Sequence, residues 1–211
     1  MGLISLLSQE PVVFVVLVAA LVFTLSIHEA AHAWVGYLLG DSTAKRMGRL
    51  TINPLAHLDP VGFLMILFAG FGYAKPVPFN PYNLRDQRWG PALIAAAGPG
   101  SNLIFGILCA VAYGLVASRL GSENLLSLTL WFLGHINFAL MAFNLIPLPP
   151  LDGSKALLAV LAAPKFEQTR RFLETQGPSL LLLLIILDIV LNIGVFSWIF
   201  WISNGLFSLF G

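Results

Sequence analysis

The chain has 211 residues, 58% of them hydrophobic and 10% charged, with a formal net charge of +1 and a mean hydropathy of +0.87. A soluble domain is about half apolar and a quarter charged, so the composition excludes a soluble globular protein and indicates an integral membrane one. The near-zero net charge and the lack of a basic run exclude a nucleic-acid partner. The single cysteine, Cys109, excludes a disulfide framework and a thiolate zinc motif, and its apolar surroundings suit a packing residue.

In chain order, residues 1–10 lack a basic leader and precede an apolar run that carries chemistry, so they are not expected to be a signal peptide. Residues 11–39 exceed the roughly 20 apolar residues that span a bilayer. Inside them lies His28-Glu29-Ala30-Ala31-His32. Histidines four apart on a helix project from one face. That spacing lets two imidazoles bind one zinc ion, and the intervening glutamate can reach a water on the same metal. The structural alternative, two histidines merely packed among helices, leaves Glu29 buried and ionised without a cation, which costs several kcal/mol.

A polar turn at 40–43 leads into residues 45–60, too polar and proline-rich for a membrane helix, in which 49–53 read as a short strand. Residues 61–71 are apolar but only about half a span. Residues 72–81 are proline-punctuated and extended, and 82–90 loop-like. A second span covers 91–118, with Gly98-Pro99-Gly100-Ser101-Asn102 read as an interruption whose small residues let helices approach closely. A third span covers 124–145 and ends in Ile146-Pro147-Leu148-Pro149-Pro150-Leu151-Asp152-Gly153, which no regular helix accommodates. Residues 154–175 suggest one or two short interfacial helices broken near Pro164. Residues 178–211 form one long helix or two short ones around Gly194.

The basic residues test the topology. If 61–71 dips into the membrane and returns, every Lys and Arg except Arg119 lies on one side, as the positive-inside rule prefers. Asp152 then comes to the same, cytoplasmic, membrane face as His32. Residues 59–78 are therefore expected to be re-entrant, and irregular backbone at that depth is tolerated where it lines a cavity. A catalytic zinc takes a third protein ligand, for which Asp152 is the candidate, ahead of His57, Asp59 and Asp188. A helix N-cap is the competing role for Asp152. His135 is expected to make a structural polar contact.

The H-E-A-A-H motif, followed much later by Asn144-Leu145-Ile146-Pro147-Leu148-Pro149-Pro150-Leu151-Asp152-Gly153, resembles the site-2 protease family of intramembrane zinc metalloproteases. Asn53-Pro54-Leu55-Ala56-His57-Leu58-Asp59-Pro60 and Gly98-Pro99-Gly100-Ser101-Asn102 are similar to that family too, so the likeness covers most of residues 26–155. It implies one Zn2+ per chain held by His28, His32 and Asp152, with Glu29 as catalytic base and Asn144 beside the scissile peptide. It also implies a membrane-protein substrate with a transmembrane segment, such as an anti-sigma factor or a transcription-factor precursor, cleaved near the cytoplasmic face of the cell membrane. Tyr73, Ala74 and Val77, on the extended stretch, with Asn102 and His57, make up the expected substrate-binding set.

The expected fold is an all-α polytopic membrane protein. It has a three-helix catalytic core plus a re-entrant, β-like loop, and one or two C-terminal membrane helices. Residues 1–211 are expected to be one domain, the core at about 11–155 and the C-terminal membrane segment at about 178–210, without PDZ or CBS modules. A membrane zinc transporter and a catalytically inactive scaffold are the alternatives. One His/Glu motif offers no relay for ion transport, and a scaffold would not need Glu29 and Asp152 retained. A prenyl-processing protease would take a glutamate as third ligand.

Overall fold

The computed structural model describes residues 4–69 and 72–211. Its helices are α1 (Ile4–Gln9), α2 (Pro11–Leu38), α3 (Thr43–Arg46), α4 (Pro54–His57), α5 (Pro60–Ala69), α6 (Gly90–Leu120), α7 (Leu125–Asn144), α8 (Gly153–Val160), α9 (Glu167–Leu191) and α10 (Ser197–Phe210). Among the described residues there is no strand, and α2, α6, α7 and α9 are long and apolar enough to cross a membrane. The chain is an all-α polytopic membrane protein.

The core is α2, α6 and α7, each packed on the other two, with α10 against α7 and α6. Polar groups join these helices where lipid offers no partner. Fully buried Asn137 on α7 donates to Thr24 Oγ1 on α2 at 2.9 Å. Ser203 of α10 donates to the His135 carbonyl at 2.9 Å, and the His135 ring lies between Trp131 and Phe207, its centroid 4.1 Å from each. On α2 most of the buried positions fall in the C-terminal half, from Thr24 to Gly36, although Trp34, Tyr37 and Leu38 of that half stay exposed. The side of this half that carries His28, Glu29 and His32 is the side enclosed by protein.

Three readings of the sequence are corrected. Residues 49–53 form no strand. Thr51 and Ile52 have β propensity, but there is no partner strand among the described residues, and the Thr51 carbonyl accepts from His57 instead. Second, α6 runs unbroken through Gly98, Pro99 and Gly100. Its packing between α2 and α7 outweighs the loss of about one helical hydrogen bond at the proline. Third, the C-terminal segment starts earlier than Pro178. α9 begins at Glu167 and passes through Pro178, while Gly177 packs directly on the Pro149 ring. Beyond it the chain does divide in two, where Asn192 and Gly194 adopt positive φ and Asp188 accepts the Val195 N–H at 2.6 Å.

The described parts of residues 60–80 fold back on one another, Gly72 lying against Gly62. Helix α5 has ten residues, too short to span, and the extended segment after it passes so closely that Gly62 faces the Tyr73 carbonyl. Asp41, at the end of α2, fastens the far end of this segment. It accepts from Asn80 N–H at 2.7 Å and from the Asn83 amide at 2.8 Å, and from both the N–H and hydroxyl of Thr43. Burial raises its pKa, but these four donors outweigh that and hold the carboxyl below its usual range.

Candidate metal centre and cleft

His28 and His32 lie one turn apart on α2, buried at 4% and 8% exposure. Their Nε2 atoms are 3.0 Å apart. Asp152, just ahead of α8, brings Oδ2 to 3.1 Å from His28 Nε2 and 3.3 Å from His32 Nε2. These three edges are close to the face of a tetrahedron with metal bonds of about 2.0–2.1 Å, whose ligand–ligand edges are about 3.3 Å. Asp152 makes no cap bond to α8, so its carboxylate does not serve as an N-cap. Its buried Oδ2 has no hydrogen-bond donor of adequate geometry. Two imidazole nitrogens and an orphaned carboxylate oxygen converging on one point are a donor set that fits zinc. Glu29 belongs to the same cluster, since one potential ligand atom from each of His28, Glu29 and His32 falls within a 4.8 Å group.

The backbone that makes this possible is non-local. A Cβ on Gly98 of α6 would stand 2.5 Å from Cε1 of both His28 and His32, so the histidine rings rest directly on the α6 main chain. Pro99 deprives the Ala95 carbonyl of its usual helical donor. On the same turn the Ile94 carbonyl accepts from His32 Nδ1 at 2.7 Å. Asp152 is placed by α8, which packs on α6 and is tied there by Arg88 Nε donating to the Ala159 carbonyl at 3.1 Å. Gly153 lies against the Leu145 and Ile146 carbonyls, where a side chain has no room.

An open cleft of about 520 Å³ leads to this cluster. Tyr73, Ala74, Val77, Asn144 and Asp152 are among the residues that line it. Asn144 spends one amide hydrogen on the Leu140 carbonyl at 3.0 Å, leaving the second for the cleft. Val77 N–H donates to Glu29 Oε2 at 3.1 Å, so this amide is engaged with the chain itself rather than presented to a substrate strand. Asn102 and His57 do not line the cleft. Asn102 is fully buried behind His28, its Nδ2 3.1 Å from His28 Nδ1.

His57, 1% exposed, lies under the loop. Its Nε2–H donates to the Thr51 carbonyl at 2.8 Å, and its Nδ1 is 3.3 Å from Arg49 Nη2. Burial, and secondarily the Arg49 charge, push its pKa below the ordinary imidazole value, which matches a neutral ring with both nitrogens occupied. Neither nitrogen is left for a metal. Asp188 is equally committed to Val195, and Asp59 caps α5 through Val61 and Gly62 N–H.

No motif or spacing in the sequence singles out Arg49. At 5% exposure it donates to the Lys75 carbonyl at 2.6 Å and to the Pro76 carbonyl at 3.2 Å, and Lys75 N–H returns to the His57 carbonyl at 2.8 Å. Two residues further on is the Val77 amide on Glu29. Arg49 thus holds the extended segment over the site by a fork that lysine does not reproduce. Arg49→Met is expected to release it. Two carbonyls lose a charged donor, an effect of about 1–3 kcal/mol, read as amide exchange at Lys75 and Val77 accelerated by about 10–100-fold. Unchanged exchange would show that the segment is held by other contacts.

An H-E-x-x-H helix facing a carboxylate at the floor of a cleft, inside a helical membrane bundle, is the arrangement of a membrane zinc metalloprotease. Residues 117–185, which include Asn144 and Asp152, match the model of peptidase family M50. YwhC of Bacillus subtilis (strain 168), named as a candidate zinc metalloprotease, is 44% identical over 150 residues, covering 67% of each chain. Two mycobacterial proteins with the same designation, both called Rip2, are similar at lower identity. The one from Mycolicibacterium smegmatis is 26% identical over 90% of this chain and 73% of its own. The one from Mycobacterium tuberculosis (strain H37Rv) is 29% identical over 94% of this chain and 75% of its own. No solved structure matches the chain significantly. The chain belongs to peptidase family M50, and is a multi-pass membrane zinc metalloprotease.

Proposed function

We propose that this protease hydrolyses a peptide bond within or near the transmembrane segment of a membrane-protein substrate. The observation that carries this reading is the position of the His28, His32 and Asp152 cluster. The two histidines lie on the buried side of a membrane-spanning helix, Asp152 meets them there, and all three line a cleft. His28, His32 and Asp152 would hold one zinc ion per chain. When bound, zinc acidifies water and polarises a carbonyl, so that hydrolysis proceeds at neutral pH.

The remaining roles belong to the chain. Glu29 takes the proton of the attacking water and delivers it to the leaving amine. Asn144 directs its second N–H at the oxyanion that develops on the substrate carbonyl, a contribution of about 3 kcal/mol. The substrate segment enters extended, because a helix keeps its peptide groups occupied. It pairs with the cleft-lining backbone at Ala74, which carries no hydrogen bond among the described residues, while Tyr73 contacts its side chains. Val77 acts at one remove, by holding Glu29.

The positive-inside rule puts the basic loops, and with them the site, near the cytoplasmic face of the cell membrane. The test is cleavage of single-span membrane proteins co-reconstituted with the full chain in liposomes, with products mapped by mass spectrometry. Cleavage within the membrane-spanning segment or a few residues from its end, lost on chelation and restored by zinc, is the expected result. Cleavage confined to soluble segments distant from the membrane would contradict the reading.

A further inference from the structure

The two histidines have different partners behind them. The Nδ1 of His32 is 2.7 Å from the Ile94 carbonyl, which can only accept, so that nitrogen carries the proton and Nε2 offers a lone pair to the cluster. The Nδ1 of His28 is instead 3.1 Å from the side-chain amide of Asn102, one turn beyond Gly98 on α6. In the structure that amide presents its nitrogen and leaves Oδ1 buried without a donor. Donation by the amide would make His28 Nδ1 an acceptor and put the proton on Nε2, pointing into the cluster 3.0 Å from His32 Nε2. A neutral histidine in that tautomer cannot offer Nε2 to a cation.

The oxygen and nitrogen of an asparagine amide are nearly equal in shape, and a half-turn exchanges them. The orientation in the structure leaves Oδ1 without a partner, and the tautomer that His28 must adopt favours the other. We propose that Asn102 is a positioning residue. Its Oδ1 accepts the Nδ1–H of His28 and thereby fixes the tautomer that turns Nε2 toward zinc. The inference rests on the proposed zinc site and reassigns Asn102 from contacting substrate to orienting a ligand.

The experiment is zinc affinity of the full, detergent-purified chain by chelator competition, for the wild type, Asn102→Asp and Asn102→Leu. The three side chains are similar in size, but aspartate can only accept a hydrogen bond and leucine neither donates nor accepts. Asn102→Leu is expected to bind zinc about 10–100-fold more weakly, as for other partners of metal-bound histidines. Asn102→Asp is expected to stay within about threefold of the wild type, and cobalt-loaded samples of the two should give the same d–d spectrum.

Loss of affinity in Asn102→Asp equal to that in Asn102→Leu would overturn the proposal, since a donor or a mere packing role predicts it. Wild-type affinity in Asn102→Leu would overturn it as well. If the leucine variant does not fold in chelator, the aspartate variant decides alone, retention supporting the acceptor role and loss refuting it. A wild-type chain that binds no zinc would instead refute the metal site on which the inference rests.

Discussion

Replacing Glu29 by glutamine is expected to abolish cleavage while zinc stays bound. Glutamine keeps the length of the side chain and an oxygen that can still accept the Val77 N–H now held at 3.1 Å, so the extended segment should keep its place. What disappears is the ability to take a proton from water and return it to the leaving amine. Proton transfer by a positioned group contributes about 10²–10⁴-fold, and this site contains no second carboxylate free of another task, because Asp152 faces the two histidines. Cleavage of a reconstituted substrate should therefore fall by about 10³-fold or more, with zinc content at the wild-type level. Glu29→Gln with near-normal cleavage would remove Glu29 from the chemistry, and zinc loss would make it a ligand.

Gly98→Ala is expected to damage the site by a different route, through loss of zinc. The new methyl would lie 2.5 Å from Cε1 of both imidazoles and 2.6 Å from His28 Nε2, about 1 Å inside ordinary contact distance. Both rings are buried, so relief requires α6 to move from α2 or the rings to rotate off the shared point. Overpacking of this kind costs about 1–3 kcal/mol in stability. Displacing two ligands at once should weaken zinc binding at least as much as removing a ligand's supporting partner, by about 100-fold or more. Gly100→Ala is the control, since nothing lies within 4 Å of a Cβ there. Equal zinc affinity in the two variants would show that α6 does not press on the histidines as described.

The contrast between these residues explains what the sequence could reveal. His28, Glu29 and His32 were legible because their relation is local. A four-residue spacing on a helix fixes which side chains share a face, whatever the rest of the chain does. The expectation that the chain returns at 59–78 came from counting residues against bilayer thickness and from the sidedness of Lys and Arg, and α5 is too short to span. The pressure of Gly98 on the rings, the Asn102 amide behind His28 and the Arg49 fork depend on pairs 26 to 74 residues apart, and no periodicity announces such pairs.

His57 shows the same limit from the other side. Its histidine identity and its motif suggested a surface for substrate, whereas the fold spends both nitrogens on holding the loop. The misread strand at 49–53 has a related cause. β propensity describes a residue's fit to a sheet, and a lone segment without a partner strand forms none.

The most direct test of the three-ligand site is the zinc content of the purified full chain compared with that of Asp152→Ala. The substitution leaves two imidazoles and an open side, too few for a catalytic zinc, which takes three protein ligands. About one zinc per wild-type chain, with the variant depleted, is the predicted result. Unchanged zinc in Asp152→Ala would contradict the account, because the third ligand would then have to come from outside the His28, His32 and Asp152 cluster.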